Sequence, residues 1–145
     1  MPTLKTLLLP VDFSDGSAAA AAMARTLAEL AGARVHALHV VTEVTDRSRR
    51  HLPVELVERF VREVESLAEA NMKDFVEHHL AGLDVVPEVV VGDGWEDIVR
   101  RAEEIGADLI VIATHGKRGL ERLLVGSTTD RVLRHARVPV LSVRG

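Results

Sequence analysis

Apolar residues in this chain fall into two alternating kinds of segment, short solid blocks and longer stretches with helical spacing. The first block runs from Leu4 to Val11, interrupted only by Lys5, Thr6 and Pro10, and ends at Asp12. Val35 to Val41, Val85 to Val91, Leu109 to Ala113 and Val138 to Val143 follow. Each has the length and β-branched content of a strand buried on both faces. Between them, Ala20, Met23/Ala24, Leu27 and Leu30/Ala31 recur at helical intervals up to a stop at Gly32. A longer stripe joins Val57, Phe60/Val61, Val64, Leu67/Ala68, Met72, Phe75/Val76 and Leu80. This predicts a helix opened by Pro53, closed near Gly82, with Phe60, Val64, Leu67 and Phe75 packed on the sheet. A third helix is expected from Trp95 to Glu104, with Ile98, Val99 and Ala102 inward and Gly106 as its stop. The last starts at Ser127 and carries Val132, Leu133 and Ala136.

The resulting order, β-α-β-α-β-α-β-α-β, predicts an α/β fold: a Rossmann-like, doubly wound, five-stranded parallel sheet with helices on both faces. A length of 145 residues fits a single domain, 1–145, able to bury about 68–70% of its unfolded surface. With no cysteine, disulfides, thiolate nucleophiles and cysteine-held metals are excluded. The longest unbroken apolar run, Ala18 to Ala24, has seven residues, far short of the roughly 18 a membrane helix needs. Leu7-Leu8-Leu9 is too short for the core of a secretory leader and meets Pro10 and Asp12. The expectation is a cytoplasmic protein with no membrane partner, and a net charge of −4 argues against nucleic acid as its main ligand.

In sheets of this class, ligands bind beyond the carboxyl ends of the strands, where the strand order reverses. Two segments there have unusual composition. Pro10-Val11-Asp12-Phe13-Ser14-Asp15-Gly16-Ser17 follows the first strand, and Thr114-His115-Gly116-Lys117-Arg118-Gly119, leading to Gly126-Ser127-Thr128-Thr129, follows the fourth. If the first and fourth strands are neighbours, both segments line one crevice. Gly116 and Gly126 let backbone N–H groups come close to a ligand, and a helix beginning at Ser127 offers an anion its free donors and positive dipole end. Between Thr114 and Arg137 stand six basic residues, Lys117, Arg118, Arg122, Arg131, Arg134 and Arg137, against Glu121 and Asp130, a local charge of +4. A phosphate-bearing ligand is one reading of this pattern. The other is a plain capping box, with Ser127 as N-cap and Asp130 at N3.

Other chemistries find less support. No G-x-x-x-x-G-K-[ST] loop occurs, and Gly92-Asp93-Gly94 fails as a dinucleotide fingerprint because Asp97 stands at its third glycine. His36 and His39 fall on opposite faces of a strand, and His78 and His79 are adjacent on a helix, so neither pair forms a metal site. Ser127, His115 and Asp12 could be written as a triad, but no G-x-S-x-G elbow accompanies them.

Along its whole length the chain resembles the universal stress protein family. Leu8-Leu9-Pro10-Val11-Asp12-Phe13-Ser14 resembles that family's first strand and turn, Leu38-His39-Val40-Val41 its second strand and Val90-Val91-Gly92 the end of its third. Ala113-Thr114-His115-Gly116, followed after nine residues by Gly126-Ser127, resembles the ATP-binding pattern G-x2-G-x9-G-[S/T], with Ala113 in place of the first glycine. The family contains members that bind ATP and members that do not. The resemblance implies that Pro10, Val11, Asp12 and Val40 surround adenine and ribose, with Asp12 taking a ribose hydroxyl or helping to hold Mg²⁺. It implies further that Ile112 and Ala113 pass beneath the nucleotide and that Gly116, Gly126, Ser127, Thr128 and Thr129 cradle its phosphates. The expected ligand is ATP, or AMP or ADP, in a stress-response regulator that pairs as a homodimer through Val138–Val143. A stress-protein dimer acting through protein contacts alone is the alternative. No base for activating water is identified, so a slow ATPase ranks third.

Overall fold

The computed structural model describes residues 3–43, 51–115 and 125–145. Within them lie β1 (Thr6–Pro10), α1 (Asp15–Ala31), β2 (Arg34–Val41), α2 (Val54–His79), β3 (Val85–Val91), α3 (Trp95–Glu104), β4 (Leu109–Ala113), α4 (Ser127–His135) and β5 (Val140–Val143). All strands are parallel, in the order β3-β2-β1-β4-β5. The chain starts in the middle of the sheet, builds outward through β2 and β3, then returns to lay β4 on the other side of β1. The switch point of this α/β fold therefore lies between β1 and β4.

Strand alternation sorts the core into two layers. Leu7, Leu9, Val35, Ala37 and Val111 face α1 and α2, where Ala20, Ala21, Ala24, Ala28, Met72 and Phe75 meet them. Leu8, Leu38, Ile110 and Ile112 face the other way, onto Ile98, Ala102 and Val132 of α3 and α4. The alanine tract of α1 is what lets that helix lie close to the sheet. Gly32, at φ 68°, ends it in the left-handed conformation that a side chain resists.

The long stripe of α2 is narrower than the sequence predicts. Ala68, Met72 and Phe75 are buried, and Val57, Val61 and Val64 pack around Val41, but Phe60 and Leu67 are 44% and 64% exposed. Phe60 and Leu67 are level along the axis with packed Val57, Val61, Val64 and Ala68 but lie on the flank of the stripe, to one side of the face that meets the sheet. In α1 the same correction applies to Met23 and Leu30, which are exposed beside the buried alanines.

The two sheet edges differ. Val35 N–H donates to the Asp84 carbonyl and Gly92 N–H to that of Val41. Even-numbered residues of β3 therefore bond inward, and Pro87 stands where its missing N–H would have faced outward. In β5, Ile110 N–H donates to the Pro139 carbonyl and Thr114 N–H to that of Val143. Val140 and Ser142 consequently aim their N–H groups at the open edge. Proline blunts the first edge and leaves the second intact.

Candidate functional site

Pairing of β1 with β4 sets the Asp12 turn and the described part of the second segment, Thr114, His115 and Gly126–Thr129, at the same end of the sheet. On the β1 side the chain leaves Pro10, passes through buried Val11 and turns at Asp12. Val11 N–H donates to the Leu38 carbonyl at 2.8 Å, extending the ladder one step past β1. From the other side, His39 Nδ1 donates to the Val11 carbonyl at 2.6 Å, and its ring lies 4.5 Å from that of Phe13. Phe13 adopts φ 65°, a cost offset by this stacking and by an edge contact with Phe75 at 6.2 Å.

Asp12 is the hub of the turn. Its Oδ1 accepts from Ser14 N–H at 3.1 Å, from the Ser14 hydroxyl and from the Ser17 hydroxyl at 2.7 Å. Ser17 Oγ in turn accepts from Asp12 N–H at 2.9 Å, and Ser14 caps α1 by accepting from Ser17 N–H. A carboxylate and two hydroxyls thus close the start of α1 from within. The D-x-S-x-x-S spacing carries this knot in the sequence. The part played by Phe13 and His39 is not legible in sequence, because it depends on contacts between β2, the Asp12 turn and α2.

On the β4 side, Thr114 N–H and hydroxyl both donate to the Val143 carbonyl at 2.8 Å, while its carbonyl accepts from Gly126 N–H at 2.8 Å. Thr129 Oγ1 donates to the Ala113 carbonyl at 2.6 Å. The helix starts at Ser127 as expected, but the capping box does not form. Gly126, not Ser127, is the N-cap of α4, and no side chain caps it. Asp130 N–H bonds the Gly126 carbonyl, making Ser127 the first helical residue. The Asp130 side chain pairs with Arg134 at 3.0 Å instead of closing a capping box. Ser127 and Thr128 are exposed, Gly126 and Thr129 buried. The start of the helix following β1 is closed by side-chain hydrogen bonds, whereas the helix following β4 has no side-chain cap, an arrangement in which first-turn N–H groups can take an anion.

The remaining expected residues are distributed as follows. Val40 is half-buried against the α3/α4 layer and Ile112 lies within it. Ala113 faces the α1 layer. Gly116, with Lys117, Arg118 and Arg122, lies outside the described residues. The other basic residues are engaged elsewhere: Arg131 lies 6.0 Å from the Trp95 ring, Arg134 pairs with Asp130 and Arg137 with Glu103. The described half of the cationic cluster therefore does not define the crevice.

At the end of β3, Asp97 is 7% exposed and accepts from Asp93 N–H at 2.7 Å and Gly94 N–H at 3.0 Å, with Arg100 beside it. Burial pushes its pKa up, but the Gly94 and Asp93 N–H groups and the Arg100 guanidinium outweigh this and hold it below the usual carboxylate value. Gly92 makes room for that carboxylate, since a Cβ there would collide with it. The residue that spoils a dinucleotide fingerprint is therefore an internal helix cap. Among the described residues no group of three or more His, Asp or Glu side chains forms a metal site, and no helix is long and apolar enough to cross a membrane.

Comparison with known proteins gives a family match described as the Universal stress protein family over residues 3–144. Universal stress protein MJ0531 of Methanocaldococcus jannaschii is 37% identical over 144 residues, 97% of this chain and 82% of its own. Universal stress protein MJ0577 of the same organism is 31% identical over 97% of this chain and 94% of its own. Its solved structure superposes with a TM-score of 0.87 at 30% identity, covering 99% of this chain and 98% of that one. A universal stress protein solved in complex with cAMP has the same fold, with a TM-score of 0.73 at 21% identity over 99% and 98% of the two chains.

Proposed function

The chain belongs to the universal stress protein family, and from that premise we propose that it binds an adenine nucleotide, ATP foremost, in the crevice between β1 and β4. The observation that carries this reading is the difference between the two helix starts facing the switch point. Asp12, Ser14 and Ser17 close α1 internally, while α4 begins at Gly126 with no side-chain cap. Phosphates then take the N–H groups of Ser127 and Thr128, and the sugar and base lie toward Asp12, Val11, Pro10 and Val40. Thr129 acts indirectly, because its hydroxyl proton holds Ala113. Ala113 packs its methyl against the α1 layer, which favours retained binding despite the missing glycine. The fold of the relative solved with cAMP accommodates such a ligand in that protein.

Mg²⁺ fits this arrangement as a companion of the phosphates. Asp12 is the one carboxylate named at the crevice, and Mg²⁺ ordinarily uses one or two carboxylates with substrate phosphates. The protein would act as a cytoplasmic regulator in the stress response, as a homodimer joined along the open edge of β5, with binding rather than turnover as its activity. Isothermal calorimetry with ATP, and GTP as a control, tests the reading. Saturable ATP binding that is lost in Gly126→Val supports it. Gly126 has φ −59° and ψ 153°, which valine tolerates, so the loss would reflect space rather than backbone strain. No heat with millimolar ATP would leave the protein-contact reading in its place.

A further inference from the structure

Gly16 stands where the start of α1 and the chain leaving β4 pack closely. A Cβ built on Gly16, in the first turn of α1, would lie 2.4 Å from the His115 carbonyl oxygen and 3.1 Å from the Ala113 Cβ. Real Cβ contacts stay above 3.0 Å, so a side chain at position 16 requires the start of α1 and the His115 carbonyl to move apart by about 0.6 Å. His115 is bonded to Thr114, whose carbonyl holds Gly126 N–H at 2.8 Å, and Gly126 begins α4. A line of backbone contacts thus runs from Gly16 through His115 and Thr114 to the donors of Ser127 and Thr128. The opposing atom is backbone rather than the end of a flexible chain, and Thr114 is itself fixed to Val143 by two hydrogen bonds.

We propose that Gly16 is a positioning residue for the nucleotide site: the absent side chain sets the distance between the Asp12 turn and the start of α4. Gly16 is in the α-helix and has no need of glycine's conformational freedom, since positive φ among the described glycines falls at Gly32, Gly82, Gly94 and Gly106. It is required for closeness alone. Ala113 adds weight to this, because its methyl occupies the room that Gly16 leaves. Binding constellations tolerate about 0.5 Å of displacement, so the shift that alanine imposes reaches the limit. This rests on the reading of the crevice as a nucleotide site.

The test compares wild type, Gly16→Ala and Gly32→Ala. Gly32 is at φ 68° with open space around it, at the far end of α1, so its alanine variant loses stability without touching the crevice. Gly16→Ala is expected to fold, as judged by far-UV circular dichroism, and to bind ATP about tenfold or more weakly. Gly32→Ala is expected to keep wild-type affinity. In the nucleotide-free protein, amide NMR signals of Thr114, Gly126, Ser127 and Thr128 should move in Gly16→Ala and stay in place in Gly32→Ala. Unchanged affinity in a folded Gly16→Ala variant, or equal losses in both variants, would overturn the proposal. Unmoved amides would overturn it whether or not ATP binds. Failure of the wild type to bind ATP would instead remove the nucleotide reading and leave the amide shifts to decide the positioning role.

Discussion

Phe75→Ala tests the link between the core and the crevice. Phe75 is buried in the α1/α2 layer, meets the Phe13 ring edge-on at 6.2 Å and lies 4.7 Å from that of His79. Truncating a buried phenylalanine to alanine costs about 3–5 kcal/mol through lost burial and the remaining cavity, and the ring contacts account for roughly 0.5–1.5 kcal/mol each of that loss. Typical total stability is about 5–15 kcal/mol, so the variant should fold with a thin margin. At about 2–4 °C per kcal/mol for a chain of this size, Tm should drop by roughly 6–20 °C. Urea titration followed by circular dichroism and by Trp95 fluorescence measures the loss directly. ATP affinity should also fall, because Phe13 needs its neighbours to hold φ 65° beside Asp12. Phe75→Leu keeps most of the volume and should recover most of both losses. A stability change below about 1 kcal/mol at an unchanged m-value would show that Phe75 is not part of the core.

Asp97→Ala should cost about 1–3 kcal/mol, because the Asp93 and Gly94 N–H groups lose their acceptor. Its folded-state pKa lies below the usual 3.8, so the stabilisation is complete above that value and fades as pH falls through the folded pKa; the gap between variant and wild type in urea titrations should narrow toward pH 3. His36 behaves in the acid-sensitive direction. Its Nδ1 is buried without a partner, and burial, then Arg101 and Arg34, pull its pKa below 6.5 against the opposing pull of Glu88 and Asp84. The unfolded chain therefore takes the proton first, stability is full above 6.5 and declines below it, and His36→Leu should flatten urea midpoints between pH 7 and 5. Ser142→Pro should yield monomers by light scattering, since it deletes an outward N–H of β5 and leaves the β4 ladder whole; a dimer that survives the change would place the interface elsewhere.

Five blocks of apolar residues separated by helical stripes were enough to fix the fold class, because strand and helix periods are local properties of the chain. Asp12, Gly126 and the length between Gly116 and Gly126 could likewise be read directly, since each belongs to one continuous segment. The order of the strands could not. That β1 lies beside β4, and hence that Asp12 and α4 share a crevice, follows from pairing residues some hundred positions apart. The same holds for His39 on the Val11 carbonyl and for Gly16 under the His115 carbonyl. Helix caps went astray for a subtler reason. Ser127 and Asp130 satisfy the spacing of a capping box, but Thr114 holds Gly126 N–H, Gly126 takes the N-cap position ahead of Ser127, and Asp130 turns to Arg134. Exposure of Phe60 and Leu67 was equally out of reach, since periodicity identifies a helix face while the rotation of the helix against its neighbours determines how wide a part of that face is covered. Sequence specifies which groups can hydrogen-bond or pack; tertiary structure decides which do, because those partnerships form between distant segments in competition with local ones.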